Sequence, residues 1–308
     1  MTGLLNKLKF EGTGVALITP FKEDLSIDVQ ALRDLVNYCI DGGVDYLVAL
    51  GTTAEVVTLS SSEKGLVREV IVEENKGRLP LMVGIGGNNT MQLVEELKRD
   101  ELHGFDAVLS VSPYYNKPTQ EGIYRHFMAL AEVSQKPLLV YNVPSRTGSN
   151  ISAETVIRLA HSHSNIIGVK EASGDMEQVE TLISNVPKGF MVISGDDLTA
   201  LPTVLKGGSG VISVLGQGIP TIFSKMIALG LEGAKEEAEN LNCSLVFMID
   251  LIFREGNPAG IKSVLELKGI GSSTVRLPLV EATKTLKVDI QKALTSLDKT
   301  YSLLSSTE

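Results

Sequence analysis

Eight short apolar runs rich in β-branched residues, each followed by a polar stretch of helical period, leave this chain very few folds. The runs are VALIT from 15, YLVAL from 46, PLMVGIG from 80, AVLSVS from 107, PLLVYNV from 137, IIGVKEA from 166, FMVISG from 190 and GVISVLG from 210. Strands that alternate with crossover helices pair in parallel. Eight such units predict an α/β fold closed into a (β/α)8 TIM barrel. An open doubly wound sheet is the alternative, disfavoured because no Gly-rich turn follows the first run. From Pro220 onward only helices are expected, over 220–230, 233–253, 258–267 and 279–299, with Gly269, Gly271 and Pro278 breaking a loop between the last two. The first would complete the eighth unit. The expected organisation is a catalytic barrel over 1–232 and a helical C-terminal domain over 233–308. The serines at 60–62 followed by Glu63 predict a helix N-cap with an acid in the first turn.

Composition removes several function classes. The chain has 308 residues, 43% of them hydrophobic, which is enough for one large core. Its formal net charge of −9 argues against a nucleic-acid partner, which would meet a basic face. Small anionic substrates stay open, because one local Arg or Lys can hold a carboxylate. The two cysteines, Cys39 and Cys243, sit in apolar helix-like runs and read as buried thiols of a reducing cytosol. The opening MTGLLNKLKFEG is too short in apolar residues, and too interrupted by Lys7 and Lys9, for a signal peptide. No apolar run reaches the ~18 residues of a membrane span. A cytoplasmic protein without membrane partner is expected.

In a barrel the chemistry lies at the C-terminal ends of the strands. Run two leads into GTTAE, Gly51 to Glu55, either an anion cradle or a capped turn. Run four leads into SPYYNKP, Ser112 to Pro118, whose paired tyrosines fit either a site or an interface. Run five gives VYNVPSRTG, with Tyr141 near the strand end and Arg146 placed to fork onto a carboxylate or to form a structural ion pair. Run six places Lys170 inside an apolar strand. Alternation puts Ile166, Gly168 and Lys170 on one face and Ile167, Val169 and Glu171 on the other, with Gly168 leaving space beside the amine. Burial favours a lysine's neutral, nucleophilic form, so Schiff-base chemistry competes here with a lysine that snorkels or pairs. Run seven ends in SGDD, Ser194 to Asp197. Two carboxylates without histidine are a poor transition-metal set, so helix capping is the default. Run eight puts Ile212 near the mouth. None of His103, His126, His161 and His163 stands at a strand end, although His161 and His163 form a pair that a surface metal would suit. GIGGNN at 84–89 is not a dinucleotide fingerprint. No metal and no cofactor are expected.

Together GTTAE, SPYYNKP, YNVPSRTG, IIGVKEASG, SGDD and GVISV resemble, in order and over roughly residues 12–300, the pyruvate-dependent class I aldolase family of dihydrodipicolinate synthase and N-acetylneuraminate lyase. The resemblance implies that Lys170 forms a Schiff base with pyruvate and that Tyr141 transfers protons beside it. It implies that Thr52, with Tyr115 of a neighbouring subunit, completes a proton relay. Thr53 and the backbone around Ile212 would hold pyruvate. Arg146 would bind the carboxylate of L-aspartate 4-semialdehyde, with Gly195 and Asp196 lining that subsite. The pairs Thr52-Thr53 and Tyr114-Tyr115, together with Arg146, resemble the synthase branch. The implied product is 4-hydroxy-tetrahydrodipicolinate, in lysine and diaminopimelate biosynthesis, and the implied assembly is a homotetramer of tight dimers.

Some positions depart from the family pattern. Ala54 stands where glycine is usual, which is tolerable only if that backbone needs no positive φ. Asn88 and Tyr114 match a lysine-feedback site. Lys64 and Gln92 replace its His and its Glu, and Val56 and Val57 replace smaller residues, so lysine feedback should be weak or absent. Three other readings remain: another pyruvate aldolase acting on a keto-sugar acid or hydroxy-oxoglutarate, a barrel that binds a metabolite without turnover, and a phosphate-binding barrel. The last is disfavoured because Gly207, Gly208 and Gly210 precede strand eight at the bottom face.

Overall fold

The structure, a computed structural model, describes residues 9–99 and 102–305. Residues 1–8, read above against a signal peptide, lie outside the described residues. Eight strands form: β1 (Gly12–Ala16), β2 (Tyr46–Ala49), β3 (Leu81–Gly84), β4 (Ala107–Val111), β5 (Leu138–Asn142), β6 (Ile166–Glu171), β7 (Met191–Ser194) and β8 (Gly210–Ser213). Each pairs in parallel with the next. β8 returns to β1 through Gly14 opposite Ile212, so the sheet is a closed barrel and not an open one. The first strand lies earlier than its run suggested, with Leu17, Ile18 and Thr19 beyond its end.

Alternation sorts the strand residues between two cores. Tyr46, Val48, Met82, Ala107, Leu109, Leu139, Tyr141, Met191, Ile193 and Ile212 fill the barrel interior. Val15, Leu47, Val83, Val108, Val140, Val169 and Val192 point outward, into a larger core shared with the helices. The pattern expected for β6 breaks at its start. Leu138 opposes Ile166, but Leu139 opposes Gly168, so the register shifts by one residue. Ile166 therefore packs in the outer core and Ile167 in the inner one, the reverse of strict alternation. Beyond the bulge the period resumes, and Lys170 lies opposite the inward-facing Tyr141.

Helices α1 (Val29–Asp41), α2 (Ser61–Asn75), α3 (Thr90–Lys98) and α4 (Gln120–Val133) cover the first half of the barrel. The short α5 (Pro144–Thr147), then α6 (Ala153–Ser162), α7 (Met176–Asn185) and α8 (Ala200–Leu205) cover the second. The cap expected at Ser60 is a full capping box: Ser60 Oγ accepts from Glu63 N–H at 3.2 Å, and Glu63 Oε2 accepts from Ser60 N–H at 2.8 Å. Four helices follow the last strand: α9 (Pro220–Glu232), α10 (Lys235–Arg254), α11 (Ala259–Leu267) and α12 (Lys284–Ser305). The last begins at 284 and not at 279. Thr283 supplies its cap, accepting from Leu286 N–H at 3.2 Å and donating to Glu255 at 2.7 Å.

One thiol departs from expectation. Cys39 is buried in α1, but Cys243 is exposed on α10. That helix buries Leu241, Leu245, Met248 and Ile252, and position 243 lies on the opposite side of this stripe. Among the described residues no helix is long and apolar enough to cross a membrane.

Candidate active site

Lys170 and Tyr141 meet at the top of the barrel. Their positions oppose each other across β5 and β6, and Lys170 Nζ stands 4.4 Å from the centre of the Tyr141 ring. Lys170 is 5% exposed and Tyr141 6%. The glycine that accommodates the amine is not Gly168. A Cβ there would come within 2.7 Å of Leu139 Cδ1 and 2.6 Å of Met191 O, so the absent side chain admits neighbouring strand residues. Gly195 holds the place beside the lysine, where a Cβ would stand 2.9 Å from Lys170 Cε and 2.6 Å from Ala172 Cβ.

The residues flanking this pair are locked. Asn142 and Glu171 follow Tyr141 and Lys170 and face outward. Glu171 accepts from Asn142 Nδ2 at 2.9 Å, from Gln178 Nε2 at 2.8 Å and from Ser173 N–H at 2.8 Å. Asn142 Oδ1 accepts from Ile151 N–H at 2.9 Å, fixing the far end of the loop that carries Arg146. A buried carboxylate with this many donors is satisfied in place. Nothing in IIGVKEA distinguished Glu171 from a solvent-facing charge.

Gly51 leads into a short helical turn, Thr52–Ala54, and Glu55 follows in the left-handed region at φ 54°. Positive φ falls on Glu55 and not on Ala54, so the alanine is accommodated. Thr52, Gly51 and Tyr141 line one cavity of about 310 Å³, which runs outward between α2 and α3 past Lys64 and Gln92. Thr53 is buried and its Oγ1 accepts from Asn257 Nδ2 at 2.9 Å. Asn88 Nδ2 donates to the Tyr114 carbonyl at 3.4 Å, bringing that pair together.

Arg146 is exposed on α5, and its guanidinium has no hydrogen bond or ion pair among the described residues. Tyr115 is 88% exposed at φ 72°. Asp196 caps the turn after β7, accepting from Thr199 N–H at 3.2 Å. Its neighbour Asp197 does something different. It is buried and accepts from Leu215 N–H at 2.8 Å and Val214 N–H at 3.2 Å, which ties the end of β7 to the segment just past Ile212. Burial pushes its carboxyl up to about 6 against those donors.

Among the described residues no three His, Cys, Asp or Glu side chains are grouped to hold a metal. The buried histidine, His126, serves the fold: its Nδ1 pairs with Thr90 Oγ1 at 2.8 Å. Burial depresses it to about 4, below its unfolded value, so the stability it contributes is present above pH 6.5 and lost as pH falls toward 4. The size is about 3 kcal/mol. Asp197, raised to about 6, works the other way: its contribution is present below its unfolded pKa and lost as pH rises through 6. His126→Asn should therefore flatten the fall in melting temperature between pH 6.5 and 4.5. Equal falls in both proteins would show that acid stability is set elsewhere.

The model of the Dihydrodipicolinate synthetase family matches residues 9–297. The 4-hydroxy-tetrahydrodipicolinate synthase of Flavobacterium psychrophilum is 59% identical over 277 residues, covering 90% of this chain and 94% of that protein. The solved structure of the 4-hydroxy-tetrahydrodipicolinate synthase of Methylacidiphilum fumariolicum SolV superposes with a TM-score of 0.92 at 36% identity, covering 97% of this chain and 99% of that one. The dihydrodipicolinate synthase of Cyanidioschyzon merolae, solved with lysine bound, superposes with a TM-score of 0.89 at 34% identity, covering 94% and 98%.

Proposed function

The chain belongs to the Dihydrodipicolinate synthetase family, and from that premise we propose that it condenses pyruvate with L-aspartate 4-semialdehyde through an imine on Lys170. It is a class I aldolase-type lyase, and its product is 4-hydroxy-tetrahydrodipicolinate. The observation that carries the residue assignment is the amine of Lys170, enclosed in the barrel mouth against Tyr141. The neutral amine adds to C2 of pyruvate, the carbinolamine hydroxyl takes up a proton and leaves as water, and an iminium remains. The iminium draws electrons from C2 and acidifies the methyl group, so C3 loses a proton and becomes the enamine carbon. That carbon attacks the aldehyde. The amino group of the second substrate then attacks C2, closes the ring and releases Lys170.

In this reading Tyr141 moves the protons, with Thr52 and Tyr115 of a neighbouring copy as relay. Thr53 and the backbone at Ile212 hold the pyruvate end, and Arg146 forks onto the semialdehyde carboxylate. Gly195 and Asp196 line the second subsite. The exposure of Tyr115 fits a side chain supplied to another subunit of a homotetramer. Tyr115→Phe should lower kcat by about 10²-fold or more, as loss of a proton-transfer group does, with melting temperature little changed. Wild-type kcat in that variant would remove the cross-subunit relay. A cytoplasmic setting, within lysine and diaminopimelate biosynthesis, fits the two unpaired thiols.

The function is tested by assaying pyruvate with L-aspartate 4-semialdehyde beside pyruvate with N-acetylmannosamine, with borohydride trapping as control. Turnover with the semialdehyde alone is expected. Trapping without that turnover would point to a different aldehyde, and absence of both would favour a binding barrel.

Feedback by L-lysine should be weak. Lys64 puts a cation in the cavity, and Gln92 offers no carboxylate to the effector's amino group. Inhibition titrations should show no loss of rate at micromolar lysine, and micromolar inhibition would sink this expectation. The double variant Lys64→His with Gln92→Glu should raise sensitivity.

A further inference from the structure

The turn that presents Thr52 and Thr53 is held by residues some 200 positions further along the chain. Asn257, between α10 and α11, donates from Nδ2 to Thr53 Oγ1 at 2.9 Å. Its Oδ1 is buried and has no hydrogen-bond partner among the described residues, so the amide is held through its bond to Thr53. The backbone of the turn is clamped as well. Glu55 Oε1 accepts from Lys262 Nζ at 2.6 Å, and Glu55 Oε2 accepts from Arg276 N–H at 2.9 Å. Thr19 Oγ1 donates to the Ala54 carbonyl at 2.8 Å. The hydroxyl of Thr53 therefore sits on a backbone that has little freedom to re-aim it.

A threonine hydroxyl has one proton and two lone pairs. Where a neighbouring N–H already points at the oxygen, the proton must point elsewhere, and the group becomes a donor to whatever lies on its other side. An anion needs a donor. We infer that Asn257 is a positioning residue for carboxylate binding: its amide N–H holds Thr53 with the hydroxyl proton aimed at the carboxylate of the keto acid. This rests on the assignment of Thr53 to pyruvate made above. The chemistry also explains why an amide suits the position. A carboxylate there would accept the Thr53 proton, reverse the direction of the bond and set a second negative charge near the substrate's own. A purely apolar residue would leave the hydroxyl free to rotate.

The test compares Asn257→Asp and Asn257→Leu with the unaltered protein, by steady-state kinetics and by the pyruvate concentration that half-saturates borohydride trapping. For Asn257→Asp both the pyruvate KM and that concentration should rise by at least about tenfold at pH 8, because a hydrogen bond to a charged group is lost. Asn257→Leu should show a smaller rise. The KM for L-aspartate 4-semialdehyde should stay within about twofold, since the residues assigned to its subsite, Arg146, Gly195 and Asp196, follow other strands than the turn that carries Thr53. In Asn257→Asp the defect should shrink as pH falls and the introduced carboxyl gains a proton, because an O–H then donates to Thr53 as the amide does. Wild-type pyruvate KM in both variants would overturn the inference. So would equal rises in both KM values with a matching fall in melting temperature, which would make Asn257 a fold contact only. If the unaltered protein fails to trap pyruvate, the assignment of Thr53 falls and this inference with it. If it traps pyruvate and the variants trap equally well, only the inference falls.

Discussion

Replacing Lys170 by alanine should abolish turnover and borohydride trapping together while the barrel stays folded. Among the described residues no other buried lysine stands beside Tyr141. Lys262, the other lysine buried to this degree among the described residues, lies outside the barrel interior and is already bonded to Glu55 and to the Thr274 carbonyl. Without an imine there is no electron sink, and the pyruvate methyl keeps its ordinary acidity, so the loss in kcat should reach about 10⁴-fold or more. Lys170→Arg should fare no better, because a guanidinium keeps the charge and lacks the nucleophilic amine. Stability should hold or rise, since removing a buried polar amine also removes the cost of dehydrating it. Activity assays, mass spectrometry after borohydride reduction and thermal melting check the three parts. A Lys170→Ala protein that still turns over both substrates would overturn the imine mechanism. Loss of activity accompanied by unfolding would mean that the lysine served packing.

Lys262→Met should give the largest loss of stability. The pair with Glu55 is fully buried on both sides, and burial pulls the Lys262 ammonium down to about 8 with Glu55 opposing that shift. Removing one member strands the other charge, at a cost of about 3–5 kcal/mol. In a domain this large that corresponds to a drop in melting temperature of about 10 °C. Adding Glu55→Gln should recover part of it, because the stranded carboxylate is gone while the N–H of Arg276 keeps an acceptor. A single variant that melts within about 2 °C of the parent would show that relaxation or water relieves the stranded charge. Arg276 also binds Glu63 and the carbonyls of Leu25 and Thr58, so the segment around 272–278 anchors three separate parts of the chain. Helices beyond the eighth unit are thereby tied to the turn that carries Thr52 and Thr53.

The strand runs and their spacing were readable because parallel strands buried on both faces appear as near-continuous apolar stretches. The capping box at Ser60 was readable because the motif is local. Misreadings came where a local rule met a tertiary constraint. The β6 bulge is set by pairing with β5 and leaves no mark in IIGVKEA itself. Alternation pointed to Gly168 as the space beside the lysine, and only the packing shows that Gly195 is the glycine that touches it. Cys243 stands just before the apolar run LVFMIDLIF but faces solvent, because a helix stripe is narrower than the run's composition suggests. Glu55, Asn257 and Lys262 were passed over, although a lysine inside the apolar helix AGIKSVLEL was a signal that something buried must pair with it.

By itself, then, the sequence determined the βα alternation, the strand ends on which Thr52, Tyr141, Lys170 and Ile212 lie, and the residue types available for an imine and a proton relay. These follow from periods of about two and 3.6 residues, which are local properties of the chain. Closure into a barrel was expected from the eight units, but tertiary structure alone decided the shifted register of β6, that Lys170 lies against Tyr141, that Asp197 grips the end of β8, and that Asn257 and Lys262 hold a turn some 200 residues away. Those contacts depend on strand register and on how helices dock, and no local period encodes either.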